Sequence, residues 1–455
     1  MNHALQRTLL VLLILFVGCA SPQTPEHEID AVVLSRAEYH DRLYGFWLAQ
    51  CIANWTGLVT EMDKIGNIGE VKTGPFYTRA DWGQPDQPNI WSGNVLDGLS
   101  PTIDFVFEDE GGIWGSDDDT DIEYMYQHLL ATHETTRLTP EQIRDGWLTH
   151  IYDENEPTPF GKDTETTYEN YLWVSNQRAY DLMAGGMAPP STGAPAHNEH
   201  YDMIDAQLTT EIFGLYAPTQ PDLALELAHL PIRTTASAEA AEIAEFYVVM
   251  YALAADYQLG APDAQMIMAM ADEARTYLSE GAYPAAMYDF VKAQYEAGVT
   301  WEAARDAVYE RYQVEQADGY TITDRNLYCN GCFAAGINFA ASLVSLFYGE
   351  GDLVETIKIG VLAGWDSDNP TATWGGMLGF MLGRAGVEQA FSRTFAEAYN
   401  IHRTRRNFPN DGLDTFDRMA EEGVAIVDRV VEGEMGGTFD TESGSWTIPI
   451  AISSD

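Results

Sequence analysis

Apolar residues recur at three- and four-residue spacing along most of the chain, the period of helices with one buried face. From Tyr39 to Gly57 the pattern sets Leu43, Phe46, Trp47 and Ile52 beside the small Gly45, Ala49 and Ala53, and predicts a first core helix. Ile122, Met125, Tyr126, Leu129 and Leu130 predict a second. Thr139-Pro140-Glu141 opens a third with proline at its first position. A helix from about Asn170 to Ala184 interrupts loop-rich sequence between 155 and 200. Helical spacing then continues from Pro221 to Leu230, Ala236 to Tyr257, Pro262 to Leu278, Pro284 to Gly298 and Trp301 to Tyr312. The stretch from Phe333 to Tyr348 is uncharged and apolar on all sides. Its 16 residues, with Asn338 inside, predict a buried central helix and are too few to span a bilayer comfortably. Farther on, Gly376, Gly379 and Gly383 leave one helix face bare, so that another helix can approach closely. A closing helix is expected from Leu413 to Val431 and a short strand near 444–449. No repeat or second-domain linker breaks the pattern. The expected fold is all-α, a single large helical domain with long loops over residues 36–455.

Composition changes this picture in two ways. A net charge of −46 and a pI near 4.2 exclude nucleic-acid binding by general electrostatics, because a phosphate backbone would be repelled. Such acidity keeps a protein soluble and suits work in high salt. The N-terminus carries a charged start, Arg7, an apolar run from Leu9 to Val17, and then Gly18-Cys19-Ala20. This describes a secretory signal over residues 1–18. Its ending looks like a bacterial lipoprotein box, with lipid added to Cys19 and residues 19–35 as a polar tether. Several acyl chains, at about 0.8 kcal/mol per buried methylene, would anchor the protein stably. The expected location is the bacterial cell envelope, lipid-anchored, and the chain is expected to be a monomer. Cys329 and Cys332 have redox or zinc spacing, but no second Cys or His pair stands nearby. They read as small core residues at a helix start, with a disulfide open to them in an oxidising compartment.

The chemistry concentrates in two acidic stretches. Ser116-Asp117-Asp118-Asp119-Thr120-Asp121 sits just before a predicted helix, where one carboxylate makes a good cap. One cap explains one aspartate. Carboxylates about 4 Å apart repel by about 4 kcal/mol at an effective dielectric of 20. The cluster is therefore either a solvated acidic turn or a cation site. A second stretch, Gly364-Trp365-Asp366-Ser367-Asp368-Asn369, lies between two apolar segments, where mere solvation is a poor explanation. The two are expected to meet and hold divalent metal jointly. Neither is an EF-hand: counted from Asp117 the sixth and twelfth places are Ile122 and His128, and from Asp366 they are Thr371 and Met377. There is no Walker loop, nucleophile elbow or His-Glu-x-x-His. Oxygen-only donors suit magnesium, with manganese or calcium as alternatives, over zinc or copper.

Three separated motifs together resemble the ADP-ribosylglycohydrolase family. They are Ala53-Asn54-Trp55-Thr56-Gly57 followed by Glu61, then Asp117-Asp118-Asp119-Thr120, then Gly364-Trp365-Asp366-Ser367-Asp368-Asn369 with Gly375-Gly376. The middle segment Ile204-Asp205-Ala206-Gln207 looks like a subgroup of the same family. The resemblance implies two magnesium ions held by Asp118, Asp119, Asp366 and Asp368. Asp117 and Asn369 stand where the family has threonine ligands, and Ser116 is an alternative hydroxyl ligand. It implies hydrolysis at the anomeric carbon of an ADP-ribosyl or related ribosyl group, on a small molecule or a protein. Glu61 is then the candidate base or gate, and an aspartate such as Asp119 could serve instead. Trp82 and Trp91, in the long aromatic loops from 71 to 113, and Asp205 are candidate substrate contacts. Ala53-Asn54 departs from the family's Gly-Asp, which leaves the substrate more open than the metal. A different exported glycoside or nucleoside, or a surface-anchored binding protein without turnover, are the rival readings.

Overall fold

The computed structural model describes residues 31–91, 99–118, 120–256, 260–325 and 327–449. The chain is mostly helical, as the periodicity predicts. Helix α1 (Arg36–Gly57) opens the domain, its start capped by Ser35, whose hydroxyl accepts the Glu38 N–H. Helices α2 (Asp121–Thr132), α3 (Pro140–His150) and α4 (Val174–Ala184) follow, α3 with a reciprocal Thr139–Gln142 cap and proline in its first turn. Next come α5 (Ile212–Tyr216), α6 (Pro221–Thr235), α7 (Ala238–Ala254), α8 (Ala264–Arg275), α9 (Tyr283–Glu296) and α10 (Trp301–Val308). The last four are α11 (Ala335–Gly349), α12 (Leu353–Ala363), α13 (Asp368–Phe391) and α14 (Phe416–Gly433).

Several boundaries differ from expectation: α4 starts at Val174 instead of Asn170, and α6 runs past Leu230 to Thr235. The end of the presumed tether is strand β1 (Ala31–Ser35), antiparallel to a C-terminal strand at Ser445–Pro449. The closing helix starts later, because Leu413–Thr415 is a strand. The helix from Trp301 ends its α-helical part at Val308 and continues as a π-helical turn, Tyr309–Val314. In chain order the remaining strands are β2 (Ile113–Gly115), β3 (Ala398–Asn400), β4 (Leu413–Thr415), β5 (Thr438–Asp440) and β6 (Ser445–Pro449). They form two small three-stranded sheets, β1-β6-β5 and β2-β3-β4.

The core is organised on α1 and α13, antiparallel and in contact along a seam of small residues. A Cβ on Gly379 would lie 2.3 Å from the Ala49 Cβ and 2.4 Å from the Gly45 oxygen; one on Gly375 would lie 2.3 Å from the Ala53 Cβ. A Cβ on Gly57, one helical turn beyond Ala53, would lie 2.2 Å from the Asp368 Cα. Gly45, Ala49, Ala53 and Gly57 are four residues apart, hence on one stripe. Gly376 faces Phe46 and Tyr251, beside the seam, and Gly383 bends α13 with a φ of 66°. The apolar α11 is buried, as predicted. Among the described residues no helix is long and apolar enough to cross a membrane.

Candidate metal centre

The α1–α13 seam delivers the end of α1 and the start of α13 to the same place. Beyond Gly57 the chain turns, and the segments 57–64 and 361–367 are stitched together. Met62 N donates to the Trp365 oxygen (2.9 Å) and Trp365 N to the Lys64 oxygen (2.8 Å). Thr60 Oγ1 donates to the Val361 oxygen (2.6 Å) and Ser367 Oγ to the Gly57 oxygen (3.0 Å). Gly364 has a φ of 97°, and a Cβ there would also meet the Lys64 oxygen at 2.5 Å, so both backbone and space call for glycine. Trp365 adopts a left-handed φ of 59°, held by its indole N–H on Gln313 (2.8 Å). Asp366 N donates to Asn338 Oδ1 (3.2 Å), and the Asn338 amide donates in turn to the Cys332 and Ala334 oxygens. The polar residue inside the apolar helix thus ties the second acidic stretch to the loop closed by a Cys329–Cys332 disulfide.

The outcome is a convergence of Glu61, Asp366 and Asp368, each offering a carboxylate oxygen within 4.8 Å of the others. At that separation each charged pair repels by about 3 kcal/mol at an effective dielectric of 20. Asp366 and Asp368 are buried and Glu61 half-buried. Burial, then Asp368, Asp366, Asp118 and Asp117 in turn, push the Glu61 carboxyl well above its ordinary value. Asp366 is pushed up to about 7 by burial first and then by Asp205 and Asp117. A buried, mutually repelling, oxygen-only donor set is what a hard divalent cation neutralises, so these residues fit such an ion.

The first acidic stretch reaches this site from the other side. Strand β2 pairs in parallel with β3, and Ser116 N extends the ladder to the Asn400 oxygen (3.1 Å). Asp117 takes the amide of Asn54 and, through Oδ1, the Thr120 N–H (3.1 Å) just ahead of α2. Asn54, where the family has aspartate, therefore holds an acidic ligand candidate in place. Asp118 is half-buried, its carboxyl raised by burial and then by Asp117 and Asp121. Asp121 turns away from the cavity into a fully buried ion pair with Arg405 Nε (2.7 Å). Arg405 also donates to the Asn170 and Tyr171 oxygens. No motif in the sequence marks Arg405.

Ser116, Asp117, Asp118, Glu61, Asp366 and Asp368 all line one cavity of about 870 Å³. Trp91 and Asp205 line it too. Asn369 is fully buried beside Asp366, behind the lining. Trp82 stands elsewhere: it packs on Phe105 at 4.9 Å, with Lys358 over its ring, and does not line the cavity. An aromatic residue in a glycine-rich loop carries no sign of which way it faces, and Trp82 pins the loop to the body. Asp119 and Cys19 lie outside the described residues, as does the signal segment. Sequence reasoning missed Trp173, Phe333, Asn176, His402 and Arg403 as lining residues. No motif flags them, and chain crossings alone bring them there.

A mostly helical domain brings carboxylates from distant parts of the chain onto one large cavity, an acidic centre suited to a divalent cation. The chain belongs to the ADP-ribosylglycohydrolase family, whose profile matches residues 35–423. Members of that family are glycosidic-bond hydrolases, typically metal-dependent. A solved structure described as an ADP-ribosylglycohydrolase-related protein complex is similar over 86% of this chain and 98% of that one, with 17% identity and a TM-score of 0.43. Comparison with curated proteins returned no match.

Proposed function

We propose that the chain is a divalent-metal-dependent glycohydrolase that cleaves the bond at the anomeric carbon of an ADP-ribosyl or related ribosyl group. The observation that carries this is the Glu61–Asp366–Asp368 convergence inside a cavity that Asp117 and Asp118 also line. Asp118, Asp366 and Asp368 would hold the metal, with Glu61 beside them. Magnesium is the first choice, two ions by the family resemblance, and Asp119 is the fourth expected ligand. Bound there, the metal would supply positive charge to grip sugar hydroxyls and to acidify a water. The chain's own residues do the rest. The carboxylates favour the positive charge that develops on the sugar ring in an oxocarbenium-like transition state. Glu61, beside the residues that would hold the metal, would take a proton from the attacking water in its carboxylate form. The N-terminal signal and Cys19 support an exported, lipid-anchored chain acting outside the cytoplasm.

The test is release of free ADP-ribose, or of another free sugar, from a panel of ribosylated substrates with added magnesium. Asp118→Asn should lower the rate by at least 100-fold at unchanged thermal stability. Saturable binding without turnover across the panel would establish a binding protein and refute the hydrolase reading.

A further inference from the structure

One wall of the cavity is built from four segments that supply none of the metal-ligand candidates. Trp91 stacks on Trp173 (centroids 6.2 Å apart, planes 20° apart) and on Phe333 (6.1 Å, 19°), making a continuous aromatic shelf. Large indoles normally bury their faces, yet Trp91 and Trp173 remain 38% and 44% exposed. At the foot of the shelf lies Asp205, 5% exposed. Its Oδ1 accepts the Asn176 N–H (2.8 Å) and so caps the first turn of α4, which begins right after Trp173. A cap accounts for Oδ1 alone. The Ser175 hydroxyl lies beside the group without closing a well-aligned bond, and Oδ2 is left unsatisfied. Asn176 Oδ1, on a side chain 5% exposed, is also unsatisfied. Ile204 N donates to the Phe333 oxygen (2.9 Å), which locks the Asp205 loop to the shelf. Buried acceptor capacity at Asn176 Oδ1 and Asp205 Oδ2, next to an exposed apolar face, calls for a ligand with hydroxyls on its edge and an apolar face of its own.

The charge of the cavity narrows the class further. Among the described lining residues there are eight carboxylates and one guanidinium, Arg403, while burial keeps His402 neutral by holding its pKa well below the ordinary value. Two divalent ions would leave this lining still negative, so a phosphorylated leaving group is disfavoured on the shelf side. We propose that Trp91, Trp173, Phe333, Asp205 and Asn176 form a leaving-group subsite for a neutral sugar ring. The assignment rests on the glycohydrolase reading for its neighbour, the anomeric sugar at the metal centre. Asp205 and Asn176 line the same cavity as Asp366 and Asp368, which places the subsite beside that centre. The ring stacks its C–H face on the shelf and donates hydroxyls to Asp205 Oδ2 and Asn176 Oδ1. Hydrolysis breaks the bond between the anomeric carbon and the leaving oxygen. Water's hydroxyl goes to the carbon and a proton to the leaving oxygen, releasing a neutral sugar alcohol.

The full chain with magnesium is titrated with methyl glucoside, methyl galactoside and methyl arabinofuranoside, and binding is read by saturation-transfer NMR. ADP-ribose and agmatine serve as anionic and cationic comparisons, and manganese binding is measured separately by calorimetry. At least one glycoside should bind saturably. Trp173→Ala, at an exposed side chain, and the isosteric Asp205→Asn should each weaken it at least tenfold, and Trp173→Ala should leave manganese affinity unchanged within twofold. No saturable glycoside binding overturns the proposal. So does binding of ADP-ribose or agmatine that Trp173→Ala abolishes while the glycosides stay silent. Glycoside binding in a chain that takes up no manganese supports the subsite and sinks the metal reading instead. Manganese binding without glycoside binding does the reverse.

Discussion

Gly57 is where packing and chemistry meet, and Gly57→Ala tests whether the helix seam sets the metal centre. A Cβ there would lie 2.2 Å from the Asp368 Cα and 2.8 Å from its nitrogen, both backbone atoms that no rotamer change can move. Relief to the 3.4 Å at which ordinary contact begins requires the start of α13 to move by about 1.2 Å. Overpacking of this kind costs about 1–3 kcal/mol. The gain in helix propensity from Gly to Ala, up to about 1 kcal/mol, offsets part of it at most. The displaced atoms carry Asp368, and about 1 Å of misplacement can cost about 100-fold in rate. Gly57→Ala should therefore lose about 1–2 kcal/mol in urea unfolding, and manganese affinity should fall at least tenfold. Gly379→Ala is the paired control: its Cβ clashes as badly, at 2.3 Å, but against Ala49 and Gly45, about 15 Å up the helix by its 1.5 Å rise. It should lose similar stability and keep more of its metal affinity. Calorimetry with manganese and urea midpoints at constant slope measure both. If Gly57→Ala binds manganese like the native chain, the seam does not set the centre and the reasoning fails.

Two further outcomes follow from buried charge. Arg405→Met leaves Asp121 uncompensated at zero exposure and should cost about 3–5 kcal/mol, whereas Arg405→Met with Asp121→Asn should recover much of it; equal stability of the single and double variants would show that the pair is not coupled. Glu211 and Glu123 are buried together, Glu211 pushed up to about 8 by burial and Glu123 raised by burial and then by Glu211. The folded chain then holds more protons than the unfolded one between about pH 4.5, where both would ordinarily titrate, and about pH 8. The stabilisation is complete below that window and is lost as pH rises through it, with a slope of up to ~1.4 kcal/mol per pH unit for each proton. Glu211→Gln should flatten the urea midpoint against pH across this range, and an unchanged profile would contradict the assignment.

The sequence by itself determined the helical fold, the small-residue faces and the two acidic stretches. Each is a short-range pattern: a period of three to four, a glycine spacing, a run of like charges. Periodicity read α1 to its last residue and found α3 from its proline start, because caps and apolar stripes are local. It left Leu353–Ala363 unassigned, although Asp352 caps its start and Glu355 and Lys358 mark its outer face. It took Ala31–Ser35 for tether, because what makes that segment a strand is β6, more than 400 residues away. In the site, Glu61, Asp366 and Asp368 were legible as chemistry, but their convergence was decided by Gly57 against Asp368 and by the ladder between Lys64 and Trp365. Trp82 and Trp91 were indistinguishable in sequence. Only the packing turned Trp82 onto Phe105 and left Trp91 open on the cavity beside Trp173, Phe333 and Asp205. Side-chain type is written along the chain, whereas which side chains share a cavity depends on contacts between residues far apart in it, and no local signal records those.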